Sequence, residues 1–216
     1  WYLTKSFFFK NYIYNKNMVR PSSLEAYDII QKCMYKYWEK GINFFSFNSI
    51  IRYSEVSKPS MYRLIGNEDN LKSKSLMMYY KIHLEKNHHY IENASCLFEL
   101  IRKTLNNIQN KKDGITDINL GLCYFQKTRI IKYTLDKKTK KIINRLDAKF
   151  IKSYVRLINK LKKENNMDKS INSECLAQLV YNSVTFFVNT VQNSSSKTEV
   201  NNMKKSILST IKIYMK

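Results

Sequence analysis

The sequence predicts an all-α protein of about nine to ten helices, and three observations predict it. Only 4 Gly and 2 Pro occur among 216 residues, so the chain has few places to turn. Apolar residues recur at i, i+3, i+4 and i+7 in segment after segment, the period of a helix with one buried face. No apolar–polar alternation persists long enough to make a strand. The length suffices for a real hydrophobic core.

Pro21, Ser22 and Ser23 read as a loop and N-cap, with Glu25 and Asp28 near the positive end of a first helix. Ile30, Cys33, Met34 and Tyr37 make its apolar face, and Gly41 ends it. Ser46 caps a short second helix that buries Phe47, Ile50 and Ile51 and leaves Asn48, Ser49 and Arg52 outward. After a break at Ser54 and Glu55, Ser57 caps a third helix with Pro59 in its first turn. Met61, Leu64 and Ile65 are its inner stripe, and Gly66 stops it.

Asn67 caps a long fourth helix that runs to about Tyr90, and another is expected from Ile91 to about Asn110. "NKKDGITD" is a loop. Ile118 to Tyr133, which contains Gly121, is mostly apolar. Thr139 to about Asn165 is long and amphipathic, whereas Ser170 to Gln192 is apolar on nearly every face and must be enclosed. "NSSSKTE" is a short loop before a last helix from Glu199.

The formal net charge is +21, which points to an acidic partner such as nucleic acid or an anionic membrane. The excess is uneven: nine Lys/Arg and six Asp/Glu lie between Met18 and Tyr80, against 26 and 11 between Lys81 and Lys216. A solvated Lys-rich surface is the plain alternative for the second part. Cys33, Cys96, Cys123 and Cys175 form no C-x-x-C pair and have no His at zinc-finger spacing. Each sits within apolar periodicity, so buried, reduced thiols and a cytoplasmic location are expected. His83, His88 and His89 miss the i, i+4 spacing of helical metal pairs and read as solvated helix-end residues. No metal site, cofactor loop, nucleophile elbow or catalytic carboxylate pair is found, so no enzyme is expected. No apolar run is long enough to span a membrane. Residues 1–20 read as an extension or disordered arm.

Three short helices with a tight turn between the second and third describe a helix-turn-helix. Gly41, Ser46, Ile50, Val56-Ser57, Met61-Tyr62, Ile65, Asn67, Asp69 and Leu71 fall, without a gap, on the pattern of the TetR family of bacterial repressors. The stretch from about Ile29 to Leu71 therefore resembles that family. Three departures stand out: Glu55 for the usual turn Gly, Leu64 where His or Tyr is common, and Glu68 where a Lys commonly meets a phosphate.

The resemblance implies a DNA-binding unit over 21–66 and a helical ligand-binding and dimerisation unit over 67–216. It places DNA contacts at Ser46 and Asn48 on the second helix and at Ser57, Lys58, Pro59, Ser60, Tyr62 and Arg63 on the third. It further implies a homodimer on a palindromic operator, released by a small-molecule effector. Candidate ligand-wall residues are Phe98, Tyr124, Phe125, Tyr154, Tyr181, Phe186 and Phe187, although residues of these types are more often ordinary core. The rival expectation is a helical interaction scaffold whose DNA-reading head has decayed.

Overall fold

A computed structural model describes residues 22–113, 123–194 and 196–215. The helices are α1 (Ser22–Lys40), α2 (Phe47–Ser54), α3 (Lys58–Leu64), α4 (Glu68–Tyr79), α5 (Glu85–Glu92), α6 (Leu97–Asp113), α7 (Tyr124–Ile130), α8 (Lys137–Lys163), α9 (Ser173–Asn193) and α10 (Lys197–Lys212). Among the described residues there is no strand, so the all-α expectation holds. The proposed arm over 1–20, the Pro21 loop and Gly121 lie outside the described residues.

The local stop and start signals act as expected. Ser46 Oγ accepts the Ser49 amide at 3.2 Å, Ser57 Oγ the Ser60 amide at 3.3 Å, and Asn67 Oδ1 the Asn70 amide at 3.0 Å. These bonds satisfy amides that the first turn of a helix leaves open. Gly41 and Gly66 take φ of +103° and +97°, a region that glycine enters most cheaply. Asn172 and Ser196 cap α9 and α10 in the same way, setting starts at Ser173 and Lys197 rather than at Ser170 and Glu199. Asn165, at φ +59°, ends α8, and the Asn166 amide bonds back to Leu161 O at 3.0 Å.

The long fourth helix is interrupted. A π turn, Tyr80–Leu84, separates α4 from α5. Tyr79 and Tyr80 are adjacent and both buried, yet they face different neighbours. Tyr79 packs edge-on against Trp38 and Tyr124, while Tyr80 meets Phe150 and His88. Consecutive side chains of a helix point in different directions, so the two tyrosines reach separate parts of the core. Ile91 belongs to the end of α5, and α6 begins only at Leu97.

α8 runs alongside α4 and α5 in the same direction. Its start is tied to Asp69, its middle to Tyr80 (Lys149 Nζ to the Tyr80 hydroxyl, 3.2 Å), and its end to Ala94 O (Lys160 Nζ, 3.2 Å). Ile143, Leu146, Leu157, Ile158 and Leu161 of α8 share the core with Leu71 and Leu76 of α4 and with Leu176, Ala177, Val180, Phe187 and Val191 of α9. α9 is not apolar all round. Its outer face carries exposed Cys175, Gln178, Leu179, Asn182 and Phe186.

Two other expectations are corrected. Cys33 is buried, and burial pushes its thiol up to about 12; Cys96 and Cys123 are half-buried, and Cys175 is exposed. His83 and His88 are not solvated ends. His83 packs on Trp38 and Tyr79, and His88 lies 4.4 Å from the Phe150 ring centre. His88 Nδ1 meets Ser153 Oγ at 2.9 Å, and that hydroxyl donates to Glu92, which also accepts from Arg156. The partners lie more than 60 positions away, beyond the reach of local pattern.

Candidate nucleic-acid interface

The second and third helices are held on α1 by a small apolar plug. Ile50, Ile51, Met61 and Ile65 are buried in the core that includes Ile29, Cys33 and Met34. Leu64 is only partly buried, so Met61 and Ile65 carry the inner stripe of α3.

The turn between α2 and α3 needs a left-handed residue, and Glu55 supplies it at φ 60°, ψ 28°. An L side chain is strained there. Two contacts hold it. Ser54 Oγ donates to Ile51 O at 2.7 Å, and Lys32 Nζ of α1 lies 2.6 Å from the Glu55 carboxylate. The hydrogen bond and charge of Lys32 hold that carboxyl below its usual range. The departure from Gly thus has a partner 23 residues upstream.

Lys58, Pro59, Tyr62 and Arg63 are exposed on α3, and Ser60 is half-buried. Ser46 and Asn48 are exposed at the start of α2. The structure therefore brings the eight sequence-predicted residues to the outer side of one helix-turn-helix. Tyr62 stands with its ring edge-on to Phe47 of α2, centres 5.5 Å apart, and 48 % of its surface is open. Phe47 fixes the tyrosine's place across the two helices. Ser46 and Ser57 act first as caps, with their hydroxyls also bonded to Ser49 and Ser60.

At the start of α4 the Glu68 carboxylate is met by Lys72 at 2.8 Å, and Lys72 also donates to Asn43. Asp69 accepts the amides of Lys138 and Thr139 and the Thr139 hydroxyl, at 2.8, 2.9 and 2.6 Å. Burial pushes its pKa up, but these bonds and the Lys138 charge outweigh that and hold it below the usual value. Asp69 clamps the start of α8 to the junction between α3 and α4.

The ligand-wall candidates divide. Tyr124, Phe125, Tyr154, Tyr181 and Phe187 are buried, and Phe98 is half-buried. Phe125, Phe150 and Tyr181 stack in sequence, and the Tyr181 hydroxyl donates to Asp147 at 2.6 Å. Phe186 is 54 % exposed on the outer face of α9, so it does not line an interior site; its neighbour Phe187 turns inward. A groove of about 220 Å³ opens elsewhere, between Ile171, Asn172, Cys175, Leu176, Leu179 and Tyr214. The Tyr37 hydroxyl, Ser75 Oγ, His88 Nε2 and Gln126 Oε1 are buried without a hydrogen-bond partner among the described residues. Among those residues no group of three or more His, Cys, Asp or Glu could hold a metal, and no helix is long and apolar enough to cross a membrane.

Fold and site together define a helical protein with a helix-turn-helix head on an all-α body. The chain has the fold of TetR-family transcriptional regulators. A regulator from Cytophaga hutchinsonii superposes with TM-score 0.73 at 13% identity, over 92% of this chain and 98% of that one. One from Agrobacterium tumefaciens gives 0.70 at 12%, over 90% and 100%. The TetR-family regulator CifR, solved with a 26-bp double-stranded operator DNA, gives 0.64 at 12%, over 84% and 94%. No family model and no curated protein sequence matches the chain.

Proposed function

We propose that the protein is a homodimeric DNA-binding transcriptional regulator, a repressor that a small-molecule ligand releases from a palindromic operator. Residues 21–66 read DNA and 67–216 dimerise and receive the effector. The observation that carries this reading is the exposed row Lys58, Pro59, Tyr62 and Arg63 on a capped helix rigidly mounted on α1. The same fold is found on operator DNA in CifR. Arg and Lys suit guanine edges, and Ser and Tyr hydroxyls suit phosphates. One such head buries little surface, so two, about 34 Å apart, are needed for selective binding. The exposed Leu179 and Phe186 of α9 suit a two-fold contact.

One observation favours the rival scaffold reading. Between Pro21 and Gly66 there are six cations and four carboxylates, and Lys32, Lys36 and Lys40 are engaged by Glu55 and Glu39. A mobility-shift titration on DNA adjoining the protein's own gene separates the two. A regulator binds with sequence selectivity and strong salt dependence, and Lys58→Ala and Tyr62→Phe each weaken binding with helix content intact. Unchanged affinity in both variants refutes the contact assignment, and no selective binding at moderate salt supports the scaffold.

A further inference from the structure

We propose that the basic segment Lys132–Arg145, which leads into and opens α8, is a second DNA contact that grips backbone phosphates flanking each half-site. The proposal rests on the regulator reading above and names a surface outside the helix-turn-helix.

The charge distribution makes the case first. Backbone neutralisation supplies much of the affinity of a DNA-binding protein. In the head, once Lys32, Lys36 and Lys40 are set aside as paired, Arg52, Lys58 and Arg63 are the exposed cations. Between Lys132 and Arg145 the chain places Lys132, Lys137, Lys138, Lys140, Lys141 and Arg145 against one carboxylate, Asp136. Lys137, Lys138, Lys141 and Arg145 are exposed, as are Asp136 and Tyr133, the latter at 85 %.

Position makes the case second. The segment abuts the head at two places. Asn43, three residues before the α2 cap, donates to Thr134 Oγ1 at 3.0 Å. Asp69 and Asn70, just after the end of α3, hold Lys138 and Thr139; Lys138 Nζ lies 2.5 Å from Asn70 Oδ1. The basic segment therefore borders the start of α2 and the exit of α3, the two ends of the DNA-reading unit. The Asp69 carboxylate is spent on the α8 amides and the Thr139 hydroxyl. Lys132 bonds Asn144 and sits over the Tyr133 ring, which orders the edge of the patch. On this proposal the acidic partner of the patch is the flanking backbone of the DNA seated on α3. Phosphate contacts of this kind position the protein and add affinity without reading sequence.

The test uses the full chain and the double variant Lys137→Ala/Lys141→Ala. Both side chains are exposed near the α8 start, where removing cations does not weaken a helix. The probes are a labelled long duplex carrying the site that the wild-type chain enriches from random DNA, and the same site trimmed to its palindrome. On the long duplex the variant binds more weakly, and the slope of log affinity against log salt flattens by about 0.9 for each phosphate that the variant no longer neutralises. Its sequence preference is unchanged, and on the trimmed site the two proteins converge. Unchanged slope and affinity, with Lys58→Ala still weakened, overturn the proposal and leave the regulator reading standing. Failure of the wild type to enrich any site removes that reading and the proposal with it. Loss of binding to vesicles of anionic phospholipid, with DNA affinity intact, overturns it in favour of a lipid surface.

Discussion

Replacing Gly66 by Ala tests the joint between the reading helix and the body. Gly66 sits at φ +97°, and its amide donates to Met61 O at 3.2 Å. An alanine there is strained by about 1–2 kcal/mol from backbone conformation alone. Its Cβ would also stand 2.2 Å from Asn70 Nδ2 and 3.3 Å from Asn70 Cγ, so the Asn70 amide must rotate. That amide's oxygen holds Lys138 of α8, and the rotation loosens this link. Gly41 is the internal control: at φ +103° it carries comparable strain, but nothing lies within 4 Å of the added Cβ. At about 2–4 °C per kcal/mol for a chain of this size, Gly41→Ala should lower Tm by about 2–8 °C and Gly66→Ala by more. Circular-dichroism melts with matched urea titrations read both. Asn70→Ala in the Gly66→Ala background should recover the steric part of the difference between the two glycine variants, the Lys138 link being lost with it. Gly66→Ala melting with the wild type, or Gly41→Ala losing more than Gly66→Ala, refutes the reasoning.

Further outcomes concern the body of the protein. On the proposed homodimer reading, Phe186→Lys places a charge on the outer face of α9 and should shift sedimentation toward the monomer with helix content unchanged; an unaltered oligomeric state removes α9 from the interface. Burial, followed by the Lys149 charge, holds the His88 pKa below its ordinary 6.5. The unfolded chain therefore takes up the proton first, so this contribution to stability is complete above pH 6.5 and is lost as pH falls through the lower, folded value. Urea titrations at about pH 7.5 and about pH 5.5 should show that loss, and His88→Gln should reduce it.

The head was the most legible part of this chain. Ser46, Ser57 and Asn67 as caps, with Gly41 and Gly66 as stops, follow from bonds that close within a few residues. Glu55 was visible as a residue out of place at a left-handed turn, but its partner Lys32 was not, because only folding brings α1 across that turn. Glu68 was visible as a departure where a Lys commonly meets a phosphate, but its partner Lys72, which also bonds Asn43, emerged only from the fold. In the body, apolar density alone could not separate Phe186 from Phe187. One residue's rotation, about 100° on a helix, puts the first outside and the second in the core.

Helical periodicity, cap chemistry and glycine punctuation are short-range, and by themselves they determined the all-α class, the order of the elements and the outward row on α3. Side-chain partners far apart in the chain were decided only by the packed structure: Asp69 with Thr139, His88 with Ser153, Tyr79 with Tyr124 and Tyr80 with Phe150. The physical reason is that hydrogen-bond and packing partners are chosen by proximity in space. Many sequences with the same local pattern could have brought other residues together.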